Sequence, residues 1–323
     1  MPRSNVDWRP SASLEHLKIR ARILSEIRAF FAVRDVLEVE TPILSRAALS
    51  DPAIESFSTH GQNYHLHTSP EFPMKRLLAS GCGAIYQICK VFRQEESGRR
   101  HNPEFTLLEW YRPGWDHQQL MVEVESVVLA LLAPYRELSS SETMTYQHAF
   151  LQYAGVDPFV ATVDELKLCS DRLGISTSWD VGDMTRDGWL DLILSHAIEP
   201  HLGRGRLTFL CDYPPSQAAL ATIRPGDPDV AERFELYLEG VELANGFHEL
   251  VDALEQRRRF EEDIAQRREL GLAQNPLDEA FLSALSFGMP PSAGVALGVD
   301  RLVMLACGTD SIEKVISFDF AKA

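Results

Sequence analysis

Two kinds of hydrophobic periodicity alternate along this chain, one typical of α-helices and the other typical of β-strands. Between residues 13 and 35 the apolar side chains follow helical spacing, which predicts an amphipathic helix capped by Ser11 or Ser13. A second helical stretch follows Asp116 and Gln119, whose spacing is that of a capping box. We therefore expect helices that each bury one apolar face.

Strand-like alternation and short apolar runs recur between these helices. Pro42 ends the first of them, because proline has no N–H group to donate to the ladder. The strands come in blocks, with few strand–helix alternations, which favours an α+β fold with a mainly antiparallel sheet flanked by helices. The stretches are VLEVETPIL (36–44), NYHLHTS (63–69), GAIYQICKVFRQE (83–95), EFTLLEWYRP (104–113), LTFLCDYP (207–214), RFELYLEGVELANGF (233–247) and SAGVALG (292–298).

The sixth of these stretches contains its own turn, at residues 239–240, and so predicts a β-hairpin. In the register that this turn sets, Tyr237 lies opposite Glu242 and Glu235 lies opposite Ala244. Glu235 and Glu242 would then be diagonal neighbours on one face. Like charges at that spacing repel unless a cation lies between them. Mg²⁺ is the natural candidate, and two exposed acids are the alternative.

A further polar residue, Asn245, follows in the same strand. In a regular strand Glu242 and Asn245 would point to opposite faces, because they are three residues apart. If both serve one site, we expect a β-bulge within residues 244–246. Asn245, Phe247 and Glu249 share a face without such an irregularity.

Composition and charge narrow the class of protein. The 323 residues are 45% hydrophobic and 24% charged, as is typical of a globular protein. We predict a single domain over residues 1–323 with a helical insertion at about 140–205. Lysine plus arginine number 31 and aspartate plus glutamate 47, so the formal net charge is −16. This excess disfavours nucleic acid as a partner unless a local basic patch exists.

Targeting and redox signals are weak. The five cysteines are scattered and form no pair typical of a zinc site. The first residues lack the apolar core of a signal peptide. No run approaches the roughly 18 apolar residues that a membrane span needs. We expect a cytoplasmic protein with free thiols and no membrane partner.

Three segments carry candidate chemistry. They are VLEVETP (36–42), VFRQEESGRRHNPEFTLLEWY (91–111) and GVALGVDRLVML (294–305). The second is the most specific, because FRxE is followed by a short loop and then by HNPEF on a return strand. In this order and spacing the segments resemble motifs 1, 2 and 3 of class II aminoacyl-tRNA synthetases, and the surrounding residues resemble the lysyl-tRNA synthetase branch.

The resemblance extends from about Leu14 to Leu305 and is weakest across residues 140–205. It implies a six- or seven-stranded antiparallel sheet that binds ATP in a bent conformation together with Mg²⁺. It also implies a homodimer joined through the first motif.

The resemblance further implies which residues bind ATP. Arg93 would offer its planar fork to the α-phosphate and to the attacking carboxylate, and Arg301 would lie on the adenine opposite Phe105, so both arginines are candidate catalytic residues. The alternative for Arg93 is an ion pair with Glu95 or another acid, and for Phe105 a place in the core. The candidate ATP ligands are Arg93, Glu95, Arg100, His101, Asn102, Phe105, Glu235, Glu242 and Arg301, of which Glu235 and Glu242 would hold Mg²⁺.

An amino-acid pocket of the lysyl type is implied as well. Glu71 would bind the amino group near the substrate carboxylate, and Arg93 and Asn245 would bind that carboxylate. Two acids around one distal ammonium would select for charge and reject neutral side chains. The alternative for each acid is a structural ion pair. The implied pocket residues are Glu71, Arg93, Glu109, Tyr111, Asn245, Phe247, Glu249 and Ala296, with Glu109, Glu249 and the Tyr111 hydroxyl around the distal ammonium and Phe247 beside the aliphatic stem.

A lysyl-tRNA synthetase carries an N-terminal oligonucleotide-binding β-barrel, whereas here the first helix begins by about Leu14. We therefore expect no anticodon-binding domain and no tRNA partner. Such a free-standing core resembles the elongation factor P–lysine ligase family, which transfers β-lysine from its adenylate to a lysine of elongation factor P. Ala296 occupies a position where lysyl-tRNA synthetases usually have glycine. Its methyl group would favour an amine on the β-carbon, although a small core alanine is an equally simple explanation.

Other functions remain open at this point. An ammonia-dependent asparagine synthetase would need a cationic pocket, and Glu109 and Glu249 argue against it. A non-catalytic regulatory subunit typically loses the ATP-binding arginines, whereas Arg93 and Arg301 are present. A truncated lysyl-tRNA synthetase-like enzyme that acts on tRNA or on a small amine is disfavoured by charge and length.

Overall fold

A computed structural model describes residues 7–61, 64–94, 96–175 and 184–323. The helices in these ranges are α1 (Leu14–Ala32), α2 (Glu71–Ala79), α3 (His117–Leu132), α4 (Tyr146–Ala149), α5 (Val163–Arg172), α6 (Arg186–Ile193), α7 (Ala253–Glu269), α8 (Glu279–Gly288) and α9 (Val299–Cys307). The strands are β1 (Leu37–Glu38), β2 (Leu44–Ser45), β3 (His65–Leu66), β4 (Ile85–Phe92), β5 (Glu104–Pro113), β6 (Ser139–Thr145), β7 (Arg206–Tyr213), β8 (Ile223–Arg224), β9 (Val230–Leu238), β10 (Val241–His248) and β11 (Ser292–Gly298).

Nine of these strands form one sheet within the described ranges, with the order β1-β4-β5-β11-β10-β9-β7-β6 and β8 paired to β9. The six central strands from β4 to β7 are antiparallel. Parallel pairs, β1 with β4 and β6 with β7, extend the sheet at both ends. The α+β class and the antiparallel core are therefore confirmed, and the edge strands make the sheet larger than the predicted six or seven strands.

Local signals located most elements well. Ser13 caps α1 by accepting a hydrogen bond from the His16 backbone N–H, and both halves of the predicted capping box are present at the start of α3. The first predicted strand, residues 36–44, is mostly wrong. Only Leu37–Glu38 pairs in the main sheet, with β4, whereas Leu44–Ser45 pairs with β3 in a separate two-stranded sheet beyond Pro42.

The predicted hairpin between β9 and β10 exists, and its turn residues Glu239 and Gly240 both have positive φ, at 54° and 69°. That geometry is typical of a type I′ turn. Tyr237 lies opposite Glu242 as predicted, but Glu235 lies opposite Asn245, so the predicted partner Ala244 is wrong.

The register shifts in this hairpin because a β-bulge falls between Glu242 and Ala244. The residue left without a partner is Leu243, one position before the predicted span 244–246. The bulge reverses the alternation, so that Glu242 and Asn245 lie on the same face of the sheet. The requirement for an irregularity between these two residues is thus confirmed, and its predicted position is corrected by one residue.

The two faces of the sheet have different coverings. One face packs against α1, α3 and α9 through the largest apolar cluster, which includes Phe31, Trp110 and Phe234. The opposite face carries apolar clusters at its two ends only. Residues of α2, α7 and α8 cover one end, around Phe281, and helical segments of residues 146–202 cover the other. The middle of this second face is where the polar residues lie.

The predicted insertion at 140–205 divides into two parts. Its first residues belong to β6 and so to the sheet, and the helices and π-helical turns that follow pack onto Tyr213, Tyr237 and Phe247. All five cysteines are free thiols. In the described part of the chain, no helix has the length and apolar character to cross a membrane.

Candidate active site

A row of polar residues crosses the second face of the sheet. Residues that pair directly in neighbouring strands project to the same side. The row therefore brings together, in order across β9, β10, β11, β5 and β4, the side chains of Glu235, Asn245, Ala296, Glu109 and Gln87. Ala296 lies between Asn245 and Glu109, and so it borders the predicted amino-acid pocket.

The next row contains a glycine at a point of close approach. Gly294 pairs with Phe247 on one side and with Tyr111 on the other. A Cβ atom at Gly294 would lie 2.3 Å from Glu249 Oε1 and 2.3 Å from a Tyr111 ring carbon. The absence of a side chain there lets Glu249 and Tyr111 lie directly over the strand.

Four predicted pocket residues, Glu71, Glu109, Tyr111 and Glu249, form what we call the acidic end of this face. Glu109 and Glu249 are each 2% exposed. Glu109 accepts hydrogen bonds from the Tyr111 hydroxyl and from Ser69 Oγ, both at 2.7 Å. The Tyr111 hydroxyl uses its proton on Glu109, so its oxygen lone pairs remain to accept from a cation.

A buried lysine joins two of these acids. Lys75 Nζ lies 2.6 Å from Glu71 Oε1 and 2.5 Å from Glu249 Oε2. The first pair is an i, i+4 contact within α2, and the second connects α2 to the residue that follows β10. The acidic end therefore contains a cation of its own, which none of the sequence predictions included.

Burial changes the titration of the acidic end. It raises the pKa of Glu109 to about 7, with Glu71 adding to the rise and with Tyr111 and Ser69 opposing it. It likewise raises the pKa of Glu249 to about 8, against the opposing charge of Lys75. Near neutral pH both carboxyls thus hold protons part of the time, and a cation that enters the pocket would displace them.

An arginine absent from the sequence predictions orients Asn245. Arg233 donates from Nε to Asn245 Oδ1 at 3.2 Å and from a terminal nitrogen to Glu235 at 2.5 Å. Its guanidinium lies 4.4 Å from the centre of the Tyr213 ring. Because Arg233 occupies the amide oxygen, the Asn245 NH₂ group is the part left to donate to an anion.

Three predicted arginines, Arg93, Arg100 and Arg301, form what we call the arginine end of the face. Arg93 pairs with Glu96 at 2.8 Å, and its guanidinium lies 5.1 Å from the centre of the Phe105 ring. Within the described residues, the buried Nε of Arg93 has no hydrogen-bond partner. An unsatisfied buried donor is costly, so this atom has capacity for an acceptor from a ligand.

Arg301 and Arg100 connect the loop of the second motif to the hairpin. Arg301 donates to the Glu242 carboxylate at 3.1 Å and to its backbone carbonyl at 2.9 Å. Its other terminal nitrogen lies 2.7 Å from His101 Nε2, and Arg100 donates to the Gly240 carbonyl at 2.9 Å. Burial opposes charge on Glu242, but Arg301 outweighs it and lowers the pKa of that carboxyl.

The predicted metal ligands lie on the expected face. Glu235 and Glu242 are diagonal neighbours there, and each is already paired, Glu235 with Arg233 and Glu242 with Arg301. The part of the chain that the structure describes contains no cluster of three or more side chains that could hold a metal alone. Two carboxylates completed by phosphate oxygens fit Mg²⁺, which prefers such hard oxygen ligands.

One predicted ATP ligand, Asn102, is not part of this arrangement. Asn102 donates to the Glu104 carbonyl and accepts from the Phe320 N–H, so its amide connects β5 to the last residues of the chain. Glu95 lies outside the described residues. Arg93 makes an ion pair with Glu96, which fits the predicted alternative for Arg93, a pair with Glu95 or another acid.

Several residues of the site were missed. Lys75 had a local signal, since it follows Glu71 by four residues at the start of a predicted helix. Gln87 and Arg233 had weaker signals, as polar residues on strand faces shared with Glu109 and Glu235. Gln87 is buried, and within the described residues its Oε1 has no partner.

Comparison with known proteins agrees with this geometry. Residues 2–322 match the family described as tRNA synthetases class II (D, K and N). The chain is 50% identical to the elongation factor P–(R)-β-lysine ligase of Vibrio cholerae serotype O1, over 99% of this chain and all of that protein. It is also 50% identical to the ligase of that name from Edwardsiella ictaluri, over 98% and 99% of the two chains. The chain therefore belongs to the class II tRNA synthetase family of the D, K and N type.

Proposed function

We propose that the protein is an ATP-dependent, AMP-forming ligase that activates lysine or β-lysine and transfers it to a lysine ε-amine of elongation factor P. One observation carries the proposal. The buried acids Glu109 and Glu249 converge with Tyr111 on the face whose other end carries Arg93 and Arg301. Membership of the class II synthetase family implies the use of ATP, and the full-length similarity to named elongation factor P ligases supports the acceptor.

The acidic end suits an amino acid with two ammonium groups. Glu109, Glu249 and the Tyr111 hydroxyl would bind the distal ammonium, and Gln87 offers a neutral acceptor beside them. Glu71 would bind the amine near the reacting carboxylate. Asn245 would donate its NH₂ group to that carboxylate together with Arg93, and Phe247 would flank the aliphatic stem.

The arginine end suits the nucleotide. Arg93 would bridge the α-phosphate and the attacking carboxylate, using the donor capacity that its buried Nε retains. Phe105 would stack on the adenine, with Arg301 on the opposite side. Arg100 and His101 would face the distal phosphates. Glu95 and Asn102 remain proposed contacts, although Asn102 is engaged with the backbone of Glu104 and Phe320.

Glu235 and Glu242 would hold Mg²⁺ together with phosphate oxygens. When bound, the ion would neutralise phosphate charge and orient the leaving group. For these acids to bind it, Arg233 and Arg301 would have to share or release their present partners.

The chemistry balances without a covalent enzyme intermediate. A carboxylate oxygen of the amino acid attacks the α-phosphorus, the bond to the β-phosphate oxygen breaks, and pyrophosphate leaves. The neutral ε-amine of the acceptor lysine then attacks the carbonyl carbon of the adenylate. An amide forms, the bond to AMP breaks, and one proton is released. Positioning and charge stabilisation are the contributions required of the protein.

Domain organisation, oligomeric state, location and partners are also proposed. We infer a single catalytic domain over residues 1–323, because the described helices between residues 146 and 202 pack on the same sheet through Tyr213 and Tyr237. We propose a homodimer joined through the first motif, whose Leu37 side chain is exposed. A cytoplasmic location, no membrane partner and no tRNA partner complete the proposal.

One acceptor assay tests this function. Purified protein, ATP, Mg²⁺ and labelled lysine or β-lysine are incubated with elongation factor P or with bulk tRNA. We expect label on elongation factor P, and none on a variant of that protein whose acceptor lysine is arginine. Label on tRNA and not on the protein would favour the truncated lysyl-tRNA synthetase-like alternative.

A further inference from the structure

Lys75 is a fully buried cation at the base of the acidic end. Its Nζ forms ion pairs with Glu71 at 2.6 Å and with Glu249 at 2.5 Å, and it lies 5.8 Å from the centre of the Phe281 ring. A buried ammonium is costly unless it is paired. Burial disfavours its charge, but Glu249 and Glu71 outweigh burial and raise the pKa of Lys75, so it stays charged at working pH.

The position of this ammonium is unexpected for a pocket that would select cations. A substrate ammonium would compete with Lys75 for the same carboxylates, and a neutral residue would leave more acid for the substrate. A plain structural ion pair would need one acid, whereas Lys75 contacts two that belong to different elements. Glu71 begins α2, and Glu249 follows β10 on the sheet.

The net charge of the acidic end accounts for the position of Lys75. When all three acids (Glu71, Glu109 and Glu249) are ionised, they and the one lysine leave two negative charges at the acidic end. Lysine and β-lysine each carry two ammonium groups, which would neutralise them. Without Lys75 the pocket would hold one surplus buried acid, which would repel its neighbours or take up a proton. Gln87 adds an acceptor without adding charge.

We propose that Lys75 is a positioning and specificity residue that holds Glu71 and Glu249 at a fixed separation and sets the pocket charge to match a diamino acid. Glu71 would bind one substrate amine and Glu249 the other, so a single ammonium fixes both ends of the recognition site. This inference rests on the proposed function, because the charge count needs a substrate with two ammonium groups.

The test is a double-mutant cycle in lysine-dependent ATP–pyrophosphate exchange. Lys75→Met removes the charge and keeps nearly the same shape. We expect the KM for lysine (or β-lysine) to rise about 100-fold while the KM for ATP changes less than about threefold, because only the acidic end is altered. Lys90→Met is the matched control, since Lys90 makes only an exposed ion pair with Glu104.

The second half of the cycle separates charge balance from simple structural support. Glu249→Gln combined with Lys75→Met removes one negative and one positive charge together. We expect the double variant to have a KM for lysine no higher than that of Glu249→Gln alone, within about threefold. If each substitution raised KM by an independent factor, Lys75 would be only a structural residue and the inference would be wrong.

The outcomes remain decisive if Lys75→Met does not fold. The double variant leaves no unpaired charge on these two residues, and its comparison with Glu249→Gln still decides the question. An unchanged KM for lysine in folded Lys75→Met would also contradict the inference. Wild-type protein without any lysine-dependent exchange would contradict the proposed function instead, so the two failures are distinguishable.

Discussion

The acidic end and the arginine end lie on one face of one sheet, yet they balance their charges differently. At the arginine end, each described arginine has an oxygen partner, such as Glu96 for Arg93 and Glu242 for Arg301. The acidic end has three carboxylates and one lysine, which pairs with Glu71 and Glu249, and burial raises the pKa values of Glu109 and Glu249. The three arginines outnumber these two acids, because Arg100 bonds to the uncharged Gly240 carbonyl, so the arginine end keeps positive charge for phosphates, whereas the acidic end is short of positive charge.

This difference indicates which end selects the substrate. An arginine with an acid partner can exchange that partner for a phosphate at modest cost, so the arginine end is suited to binding any nucleotide. Buried carboxylates with too few cations destabilise the folded protein unless a cation enters the pocket and pairs with them. Selectivity should therefore reside in the acidic end, and substitutions at the two ends should change different kinetic constants.

Glu109→Gln should have the largest effect. It removes one of the two negative charges that the substrate amines would neutralise. The Ser69 and Tyr111 hydroxyls would then donate to a neutral amide oxygen. We expect kcat/KM for lysine to fall about 10³-fold with little change in the KM for ATP. Steady-state ATP–pyrophosphate exchange measures both values. Glu104→Gln, on the same strand but exposed, is the control and should keep wild-type kinetics. Equal losses of kcat/KM for lysine in the two variants would contradict the assignment of selectivity to the acidic end.

Arg93→Lys should have the next largest effect, at the other end. A lysine has a single charged centre and cannot bridge the α-phosphate and the carboxylate with a planar fork. We expect kcat for adenylate formation to fall about 100-fold, with a smaller loss of lysine affinity because Asn245 still binds the carboxylate. Single-turnover formation of adenylate is the measurement. Arg99→Lys is the control, because Arg99 makes an exposed ion pair with Asp310; a pure loss of lysine affinity in Arg93→Lys would contradict the assignment.

The KM for lysine should depend on pH by about tenfold, because two acids of the acidic end have raised pKa values. Glu109 and Glu249 have pKa values raised to about 7 and about 8, so protons compete with the substrate ammonium below pH 8. The charged neighbours that face them are Lys75 and Glu71. We expect the KM for lysine to fall about tenfold as the pH rises from 6 to 8, because deprotonation readies the acids for a cation. A KM for lysine that is constant over this range would rule out the raised pKa values.

Ala296→Gly should have the smallest effect. Its methyl group lies between Asn245 and Glu109 on the sheet face, where it would narrow the space around the substrate α-carbon. We expect the use of α-lysine relative to β-lysine to rise about threefold, as one methyl group in a pocket allows. Exchange assays with both amino acids measure the ratio. No change in the ratio would leave Ala296 as a simple core residue.

The parts of the fold that the sequence predicted are those with local signals. The capping box of α3 and the bounds of β5 follow from neighbouring residues, and both are confirmed. The bulge in β10 shows the limit of such signals. Glu242 and Asn245 are three residues apart, so an irregularity between them was required if both were to face the same side. Nothing in the sequence distinguishes Leu243 as the unpaired residue, because the register shift depends on pairing with β9.

The site shows the same limit. Motif spacing predicted the residues that would touch a substrate, and the sheet register does bring Glu109, Asn245 and Glu235 to one face. Lys75 was missed because its second partner, Glu249, is far away in sequence and meets it only when α2 packs beside β10. The charge balance of a pocket depends on such tertiary contacts, so it could not be derived from motifs.

The most direct test of the account compares lysine with norleucine in ATP–pyrophosphate exchange by the wild-type protein. Norleucine has nearly the shape of lysine but lacks the distal ammonium, so Glu109 and Glu249 would remain without a cation. We expect kcat/KM for norleucine to be about 10⁴-fold lower than for lysine, because unpaired buried acids penalise the analogue. Comparable exchange with both amino acids would contradict the claim that the acidic end selects the substrate by charge.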